Sequence, residues 1–262
     1  MNNKISAVII TYNEEKNIEN CLKSLKKIAD EIIILDSFST DKTCEIAKKF
    51  GAKVEQRKFD DYSSQKNAAQ SFTQYDYILS IDADEALSEA LVEEILTEKN
   101  KNLTCFAYNL PRLTSYCGQW IYHCGWYPDR AVRLWRKDLG IWEGVVHEKI
   151  TGKALENIGF LKNPILHYSF PTLSTHLKKV DLYSTISAEE MFKKGKKTHW
   201  VYAFLSAWFT FVKKYFFQLG FLDGYVGFLV CYFSALSNFL KYNKLYFLYK
   251  EHENKLKIRQ KS

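Results

Sequence analysis

Short apolar runs alternate with helix-like segments over the first hundred residues, and this order constrains the fold more than any other feature of the chain. Four runs have the length and the apolar or β-branched content of buried strands: 5–10, 31–35, 52–55 and 77–81. Apolar residues recur at helical spacing in the segments between and after them: 14–28, 41–50, 62–72 and the stretch that follows Ser88. This order predicts the α/β class, with a parallel sheet covered by helices on both faces.

The pattern changes after Thr104. Further strand-like runs separated by turns follow at 105–110, 131–135, 145–150 and 164–168, which predicts a mixed sheet. A helix is predicted over 173–194, and uncharged apolar stretches cover 198–212 and 224–240. We therefore predict a sheet domain at 1–170, divided near residue 100, and a helical extension at 171–262.

Two carboxylates directly follow the fourth strand-like run, in Asp82-Ala83-Asp84. Ligands of open α/β sheets bind beyond the carboxyl ends of the strands. Mg²⁺ and Mn²⁺ are commonly held by one or two carboxylates together with substrate phosphates. The triplet is therefore predicted to hold a divalent cation and, through it, a diphosphate, although turns in general are also rich in Asp.

Polar residues follow the first two strand-like runs in the same way, within 11–15 and 36–43. In order, spacing and strand context, these segments and the Asp82-Ala83-Asp84 triplet resemble the nucleotide-sugar-binding half of the inverting family 2 glycosyltransferases, which have the GT-A fold. The resemblance covers about residues 4–100. Further segments are similar to the branch of lipopolysaccharide-core β-1,4-glucosyltransferases, which add glucose to the first heptose: 125–130, 133–135, 142–148 and 220–224.

The resemblance implies roles for individual residues in binding the donor. It places these residues at the nucleotide sugar: Thr11, Tyr12, Glu14, Asp36, Lys66, Asp82 and Ala83. Tyr12 would lie near the base, and Asp36 would accept a hydrogen bond from uracil or ribose. Most relatives carry a second acid after that Asp, where this chain has Ser37. Lys66 would contact uracil or diphosphate, and a solvated helix lysine is the alternative.

Metal ligands are implied in the same way. Asp84 would be the principal ligand, and Asp82 would touch the metal or the ribose. His147 is a further candidate, because imidazole suits Mn²⁺ better than Mg²⁺. A buried structural histidine explains His147 equally well.

An inverting transfer needs a base that takes the proton of the acceptor hydroxyl while its oxygen attacks the sugar. Asp129 is the first choice, because it lies in a Trp-Tyr-Pro-Asp turn that can face the sugar. Glu143 and Glu148 are its rivals, and an ordinary turn role is the alternative for Asp129.

Aromatic and basic residues near this turn are candidates for binding the acceptor. Trp126, Trp135 and Trp142 can form a sugar platform, or any of them can belong to the core. Arg130 and Arg133 can bind an acceptor phosphate through paired hydrogen bonds, with surface salt bridges as the alternative.

The end of the chain is basic and aromatic. Residues 191–262 contain 13 Lys and Arg against 3 Asp and Glu, and 19 of the 41 aromatic residues lie between 200 and 249. Because its apolar stretches are long and continuous, we expect an anionic membrane surface rather than nucleic acid as the partner. Both stretches are shorter than the roughly 20 residues that a spanning helix needs. Helices lying in the interface are therefore expected, and a helical hairpin packed on the domain or on another subunit is the alternative.

The six cysteines form no CxxC pair, and the first apolar run is too short for a signal peptide. We expect reduced thiols and a cytoplasmic protein, peripheral on the cytoplasmic face of the inner membrane. The expected activity is the inverting transfer of glucose from UDP-glucose, with Mg²⁺ or Mn²⁺, to a lipid-linked glycan such as lipopolysaccharide inner-core heptose. The alternatives are a polyprenyl-linked, capsular or protein acceptor, and a noncatalytic membrane-bound scaffold that keeps the nucleotide pocket.

Overall fold

The structure is a computed structural model that describes residues 3–144 and 148–259, with side chains through residue 253. The strands are β1 (Ile5–Thr11), β2 (Glu31–Asp36), β3 (Lys53–Gln56), β4 (Tyr77–Ser80), β5 (Glu85–Leu87), β6 (Ala107–Tyr116), β7 (Gln119–Ile121), β8 (Asp129–Arg136), β9 (Ile141–Glu143), β10 (Lys149–Thr151), β11 (Ile158–Phe160) and β12 (Ile165–Phe170). The helices are α1 (Ile18–Leu25), α2 (Thr43–Lys49), α3 (Tyr62–Ser71), α4 (Glu89–Asn100), α5 (Leu173–Lys193), α6 (Trp200–Val212) and α7 (Gly224–Arg259).

The main sheet is mixed, as predicted. Its strands follow the order β3-β2-β1-β4-β8-β6-β12-β5, and β7 and β11 pair with β6 outside this path. The adjacent strands β3, β2, β1 and β4 are parallel to one another. Strand β8 is antiparallel to both β4 and β6. The α/β class and the mixed sheet expected of a GT-A fold are therefore confirmed.

Each face of the sheet buries its own set of side chains. Along β1, Ile5, Ala7 and Ile9 enter one core with α1 and α4, while Val8 enters a second core that contains Ala69 of α3. Successive residues of a strand point to opposite faces, so a run that is apolar at nearly every position must be covered on both sides. Both layers hold the carboxyl ends of β1, β2 and β4 at one edge of the sheet.

Two sequence predictions in this region differ from the structure. The fourth strand-like run is followed by a further short strand, β5. This strand has three residues, too few for the sequence pattern to predict it. A strand was predicted over 145–150, and the structure has β10 at Lys149–Thr151. Val145, Val146 and His147 lie outside the described residues.

The chain divides into two compact units. One runs to Thr114 and resumes over Pro128–Ser169, and the other consists of Ser115–Tyr127 and the chain from Phe170. The second unit therefore begins with a short segment that sequence alone placed in the sheet domain. Three of its residues fill a small core with Val230 and Cys231 of α7: Tyr116, Ile121 and Cys124.

The second unit is built around α7, which packs against α5 and α6. Helix α6 continues through a π-helical turn at Lys213–Phe217, and a 3₁₀ turn at Gly220–Asp223 leads into α7. In the described part of the chain, one helical stretch, Gly220–Glu253, is long and apolar enough to cross a membrane by length and composition alone.

Candidate active site

The Asp82–Asp84 triplet forms a tight turn between β4 and β5. The backbone N–H of Glu85 donates to the Asp82 carbonyl oxygen at 2.9 Å, and the N–H of Asp82 donates to Glu85 Oε2 at 3.0 Å. Glu85 is buried, and Ala83 packs into the core beneath the turn. The turn is thus fixed from below, and the carboxylates of Asp82 and Asp84 are free to face other groups at the sheet edge.

Asp82 lies between two cations. Lys66 Nζ of α3 is 3.2 Å from Asp82 Oδ1, and Arg133 Nη2 of β8 is 3.2 Å from Asp82 Oδ2. Burial alone would raise the pKa of the Asp82 carboxyl, but Lys66 and Arg133 outweigh it and hold this pKa well below its usual range. Asp82 is therefore ionised across the physiological pH range.

Lys66 is almost fully enclosed, since its side chain is only 4% exposed. Its ammonium group also lies 3.0 Å from Glu148 Oε1 and 4.5 Å from the centre of the Trp142 ring. A buried ammonium with two carboxylates and an aromatic face as neighbours is not a solvated helix lysine. Lys66 therefore lies beside Asp82 and Glu148, and its contact with a nucleotide stays a prediction.

Arg133 binds both Asp82 and the buried Glu85. Its Nη2 atom is 3.0 Å from Oε1 of the fully buried Glu85, and Arg112 Nη1 approaches the same oxygen at 3.4 Å. Burial opposes the charge of Arg133, yet the Glu85 and Asp82 carboxylates raise the pKa of its guanidinium above the ordinary value. Arg133 Nη1 is buried and has no hydrogen-bond partner among the described residues.

Asp84 meets a histidine that sequence analysis did not select. His167 Nε2 of β12 lies 3.2 Å from Asp84 Oδ2, and the N–H of Tyr168 donates to the Asp84 carbonyl oxygen at 2.9 Å. The antiparallel pairing of β12 with β5 places His167 opposite Glu85 and so brings the imidazole to the turn. His147, the predicted histidine ligand, lies outside the described residues.

The Asp84 and His167 side chains suit a divalent cation. Carboxylate oxygen and imidazole nitrogen are ligands for Mn²⁺, and oxygen is the ligand for Mg²⁺. Within residues 3–144 and 148–253, no group of three or more His, Cys, Asp and Glu side chains is arranged to hold a metal ion. The described residues therefore fit a cation that takes its remaining ligands from substrate or water.

The loops after β1 and β2 are tied to one another. Asp36, which is fully buried, accepts hydrogen bonds from the Ser39 hydroxyl and from the Ser39 N–H at 2.8 Å. Asn13, with a φ of 55°, donates its N–H to Ser39 Oγ at 2.8 Å, and the Glu14 N–H donates to Thr43 Oγ1 at 2.8 Å. These bonds explain why polar residues cluster after both strands.

The predicted nucleoside contacts occupy these loops. Thr11 pairs in register with Asp36, and its hydroxyl is buried without a hydrogen-bond partner among the described residues. Tyr12 is exposed, as a base-stacking residue would have to be before its ligand binds. Ser37, which replaces the second acid of most relatives, accepts a hydrogen bond from Gln65 Nε2 at 3.1 Å.

The three candidate bases lie in different surroundings. Asp129 is half exposed and accepts a hydrogen bond from Arg112 Nε at 3.0 Å and a second from Arg112 Nη2. Glu143 is exposed on β9, where it pairs in register with Lys149. Of the three carboxylates, only Glu148 lies in direct contact with the cluster around Asp82, through Lys66.

The residues predicted to bind the acceptor differ in their exposure to solvent. Arg130 is exposed and donates to the Leu161 carbonyl oxygen at 3.0 Å, so it remains a surface candidate. Arg133 is buried against carboxylates, which leaves it unable to meet an acceptor phosphate at the surface. Trp142 is also buried, edge-on to Trp135 and beneath Lys66, and is not an open sugar platform. Trp126 belongs to the second unit, where it stacks on Phe170 at 5.2 Å.

Comparison with known proteins gives consistent matches. The family model described as Glycosyl transferase family 2 matches residues 6–147. An uncharacterized glycosyltransferase of Rickettsia typhi is 34% identical over 253 residues, which cover 92% of this chain and 86% of that protein. The lipopolysaccharide core biosynthesis glycosyltransferase LpsC of Rhizobium meliloti is 28% identical over 258 residues, with 92% of each chain covered. Among solved structures, S. aureus TarS 1-349 in complex with UDP-GlcNAc aligns with a TM-score of 0.46 and 16% identity, over 90% of this chain and 80% of that chain.

Proposed function

We propose, since this chain belongs to glycosyl transferase family 2, that it transfers a hexose with inversion from a UDP-sugar to a lipid-linked glycan. UDP-glucose is the donor that we propose, and lipopolysaccharide inner core is the acceptor class. Similarity to the lipopolysaccharide core biosynthesis glycosyltransferase LpsC, which extends over nearly the whole of both chains, supports this acceptor class.

One observation carries the proposal. The two carboxylates of the Asp82–Asp84 turn have different neighbours: Asp82 is held by Lys66 and Arg133, whereas Asp84 faces the imidazole of His167 at 3.2 Å. An ionised Asp82 fixed by two cations is suited to orient a ribose or a phosphate-bound ion. Asp84 and His167 supply one oxygen and one nitrogen ligand from opposite sides of the turn.

We assign a divalent cation, Mg²⁺ or Mn²⁺, to Asp84 and His167. When bound there, it would neutralise the charge that develops on the leaving diphosphate. Lys66 and Arg133 hold the neighbouring Asp82 in its ionised form.

The reaction also requires a base for the acceptor hydroxyl. As this oxygen attacks the anomeric carbon, its proton passes to a carboxylate and the bond to the diphosphate breaks on the opposite face, which inverts the configuration. Each of the two leading carboxylates is paired with a cation, Glu148 with Lys66 and Asp129 with Arg112. We rank Glu148 first because Lys66 also binds Asp82 of the turn. Glu143, exposed on β9, is third.

A lipid-linked acceptor implies work at a membrane. The apolar stretches of the second unit and the net positive charge of residues 191–262 support peripheral association with an anionic leaflet. The proposed place of action is the cytoplasmic face of the inner membrane, where nucleotide sugars are available.

A nucleoside-diphosphate release assay tests the proposal. Purified full-length protein is given UDP-, GDP- and CMP-sugars with Mn²⁺, Mg²⁺ or EDTA, with and without a deacylated core oligosaccharide. We expect release of UDP from one donor, dependent on metal and increased by the acceptor. Donor binding without release under any acceptor would favour the noncatalytic scaffold, and release driven better by a polyprenyl-linked or protein acceptor would replace the acceptor class.

A further inference from the structure

The second unit exposes many large apolar side chains, most of them on α6 and in the turn that follows it. Helix α6 is uncharged throughout its 13 residues, and Ala203 is its one buried residue. Its exposed large side chains are Trp200, Val201, Tyr202, Phe204, Leu205, Trp208 and Phe209. A helix that is apolar all round is usually buried in a core or in lipid. Exposed apolar patches on soluble monomers rarely exceed a few hundred Å² and, when larger, mark interaction sites.

The exposed surface continues through the turn between α6 and α7. We call residues 216–225 the hairpin tip; its exposed large side chains are Phe216, Phe217, Leu219, Phe221, Leu222 and Tyr225. Phe217 is 80% exposed and Tyr225 is 74% exposed. Ring contacts connect the tip to both helices, since Tyr215 packs against Phe216, Phe221 and Phe228 at centroid distances of 5.2, 6.2 and 6.0 Å. The tip and the helices therefore present one continuous aromatic surface.

The single acid of the hairpin tip is withdrawn from this surface. Asp223 is buried, and its carboxylate accepts hydrogen bonds from the His123 N–H and from His123 Nδ1, both at 2.8 Å. The N–H of Tyr122 approaches the same carboxylate at 3.4 Å. The one acid of the hairpin tip is thus paired internally, which leaves the tip without negative charge at its surface.

Charge around the tip has one sign. Between residues 191 and 250 the sequence has nine lysines and one acid, Asp223. Lys213 is exposed where α6 ends, next to the hairpin tip. An aromatic, acid-free surface flanked by lysines is complementary to an anionic bilayer, in which aromatic rings lie at headgroup level and lysines contact phosphate.

The packing of α7 distinguishes insertion into one leaflet from a membrane span. Val230 and Cys231 are fully buried in the core of the unit, and Lys244 Nζ bonds Asp181 of α5 at 2.6 Å. Asn238 Nδ2 donates to Thr210 Oγ1 of α6 at 2.7 Å. Helix α7 is therefore the central helix of a packed unit, and the lipid-facing surface lies on α6 and the tip.

We infer that the exposed face of α6 and the hairpin tip insert into the interfacial region of one anionic leaflet, so that the protein is a monotopic membrane protein. This inference rests on the membrane association within the proposed function and names the element that makes it. The insertion reaches about 5–10 Å, to the boundary between headgroups and acyl chains. Insertion, unlike adsorption through lysines alone, withstands salt.

The test uses the full-length chain and vesicles of equal parts phosphatidylethanolamine and phosphatidylglycerol. Flotation compares the wild type with two variants, Phe217→Ser/Leu222→Ser in the tip and Trp208→Ser/Phe209→Ser in α6. Leu182→Ser and Phe160→Ser are the matched controls, because these exposed side chains lie outside the inserting surface. All six positions are exposed, so circular dichroism should show unchanged folding.

We expect the wild type and both controls to stay bound at about 0.5 M NaCl, where surface charges are largely screened. Each double variant should bind about tenfold more weakly or worse. Brominated lipids should quench the fluorescence of the wild type more than that of Trp208→Phe, which localises the inserted residue. Release of UDP with a soluble acceptor should be unchanged in every variant, so that failure of insertion and failure of the proposed activity are distinguished.

Three results would overturn the inference. In the first, both double variants float like the controls, and in the second, salt alone releases the wild type from the vesicles. In the third, the wild type is a dimer without lipid and the variants become monomers with unchanged vesicle binding, which would assign the surface to a second copy of the chain.

Discussion

His167 Nε2 lies 3.2 Å from Asp84 Oδ2, although 83 residues separate the two in sequence. The contact exists because β12 returns antiparallel to β5 and sets His167 opposite Glu85. A carboxylate and an imidazole thus converge where the parallel strands end.

His167→Gln should weaken the binding of Mn²⁺ in the presence of UDP, by about 10- to 100-fold if the imidazole is a ligand or orients one. Electron paramagnetic resonance of free Mn²⁺ measures this without relying on turnover. His252→Gln, at an exposed position of α7, is the control. Equal Mn²⁺ affinity in the two variants would remove His167 from the metal site.

Lys66→Met should destabilise the protein by about 2 kcal/mol. The change leaves Asp82 and Glu148 facing one another without their shared cation. Loss of one partner from a fully buried pair costs about 3–5 kcal/mol, and the smaller value reflects the remaining contact of Asp82 with Arg133.

Denaturant unfolding measures this change, with Lys49→Met as the matched control. Lys49 is an exposed helix lysine paired with Glu45, so its replacement should leave the unfolding free energy nearly unchanged. Equal stability of the two variants would show that Lys66 is not a structural bridge.

His176 should remain neutral far below the pH at which histidines usually titrate. Burial, with a smaller effect from the Lys179 cation, lowers its pKa from 6.5 to about 4. The unfolded chain therefore binds a proton between these values that the folded chain does not, and stability falls as the pH drops from 6.5 towards 4. Below pH 4, this difference in the pKa of His176 lowers the free energy of unfolding by about 3 kcal/mol relative to neutral pH.

Nuclear magnetic resonance titration of the imidazole measures the pKa of His176 directly. Its ring lies in an aromatic cluster and Nδ1 is 2.9 Å from the Tyr116 hydroxyl, so resonances of both residues should shift together. His176→Gln should flatten the pH dependence of unfolding over the same window. A midpoint near 6.5 for His176 would contradict its burial in the neutral form.

Glu148→Gln and Asp129→Asn should separate the two leading candidates for the base. The variant that removes the base should bind UDP-sugar normally and lose about 10²- to 10⁴-fold in transfer. We expect this behaviour of Glu148→Gln and a smaller loss for Asp129→Asn. The reverse order would assign the base to Asp129, and full activity in both would direct attention to Glu143.

The sequence predicted the sheet edge well because its signals are local. The runs that became β1, β2 and β4 are apolar at nearly every position, and the polar residues that follow them had to lie at one edge. The resemblance predicted that Lys66 lies near the nucleotide, and in the structure this side chain bridges Asp82 and Glu148.

His167 was missed because its role depends on a long-range pairing. The run around it was predicted as a strand, but nothing in that run shows that it pairs with β5, a strand of three residues. Arg133 and Trp142 were candidates for binding the acceptor, with surface salt bridges and core packing as the alternatives. Burial of a strand residue depends on register, which the sequence alone does not fix. The register of β8 against β4 and the contact of Trp142 with Trp135 place both inside.

The most direct test of the proposed function is transfer of glucose from UDP-glucose to deacylated core oligosaccharide, followed by mass spectrometry and by NMR of the new anomeric centre. Wild-type protein and the control Asp138→Asn, at an exposed aspartate, should form a product of inverted configuration only with Mn²⁺ or Mg²⁺. Asp84→Asn should form none under the same conditions. A product from Asp84→Asn at the wild-type rate, or retained configuration in the wild-type product, would contradict an inverting transferase built on the Asp82–Asp84 turn.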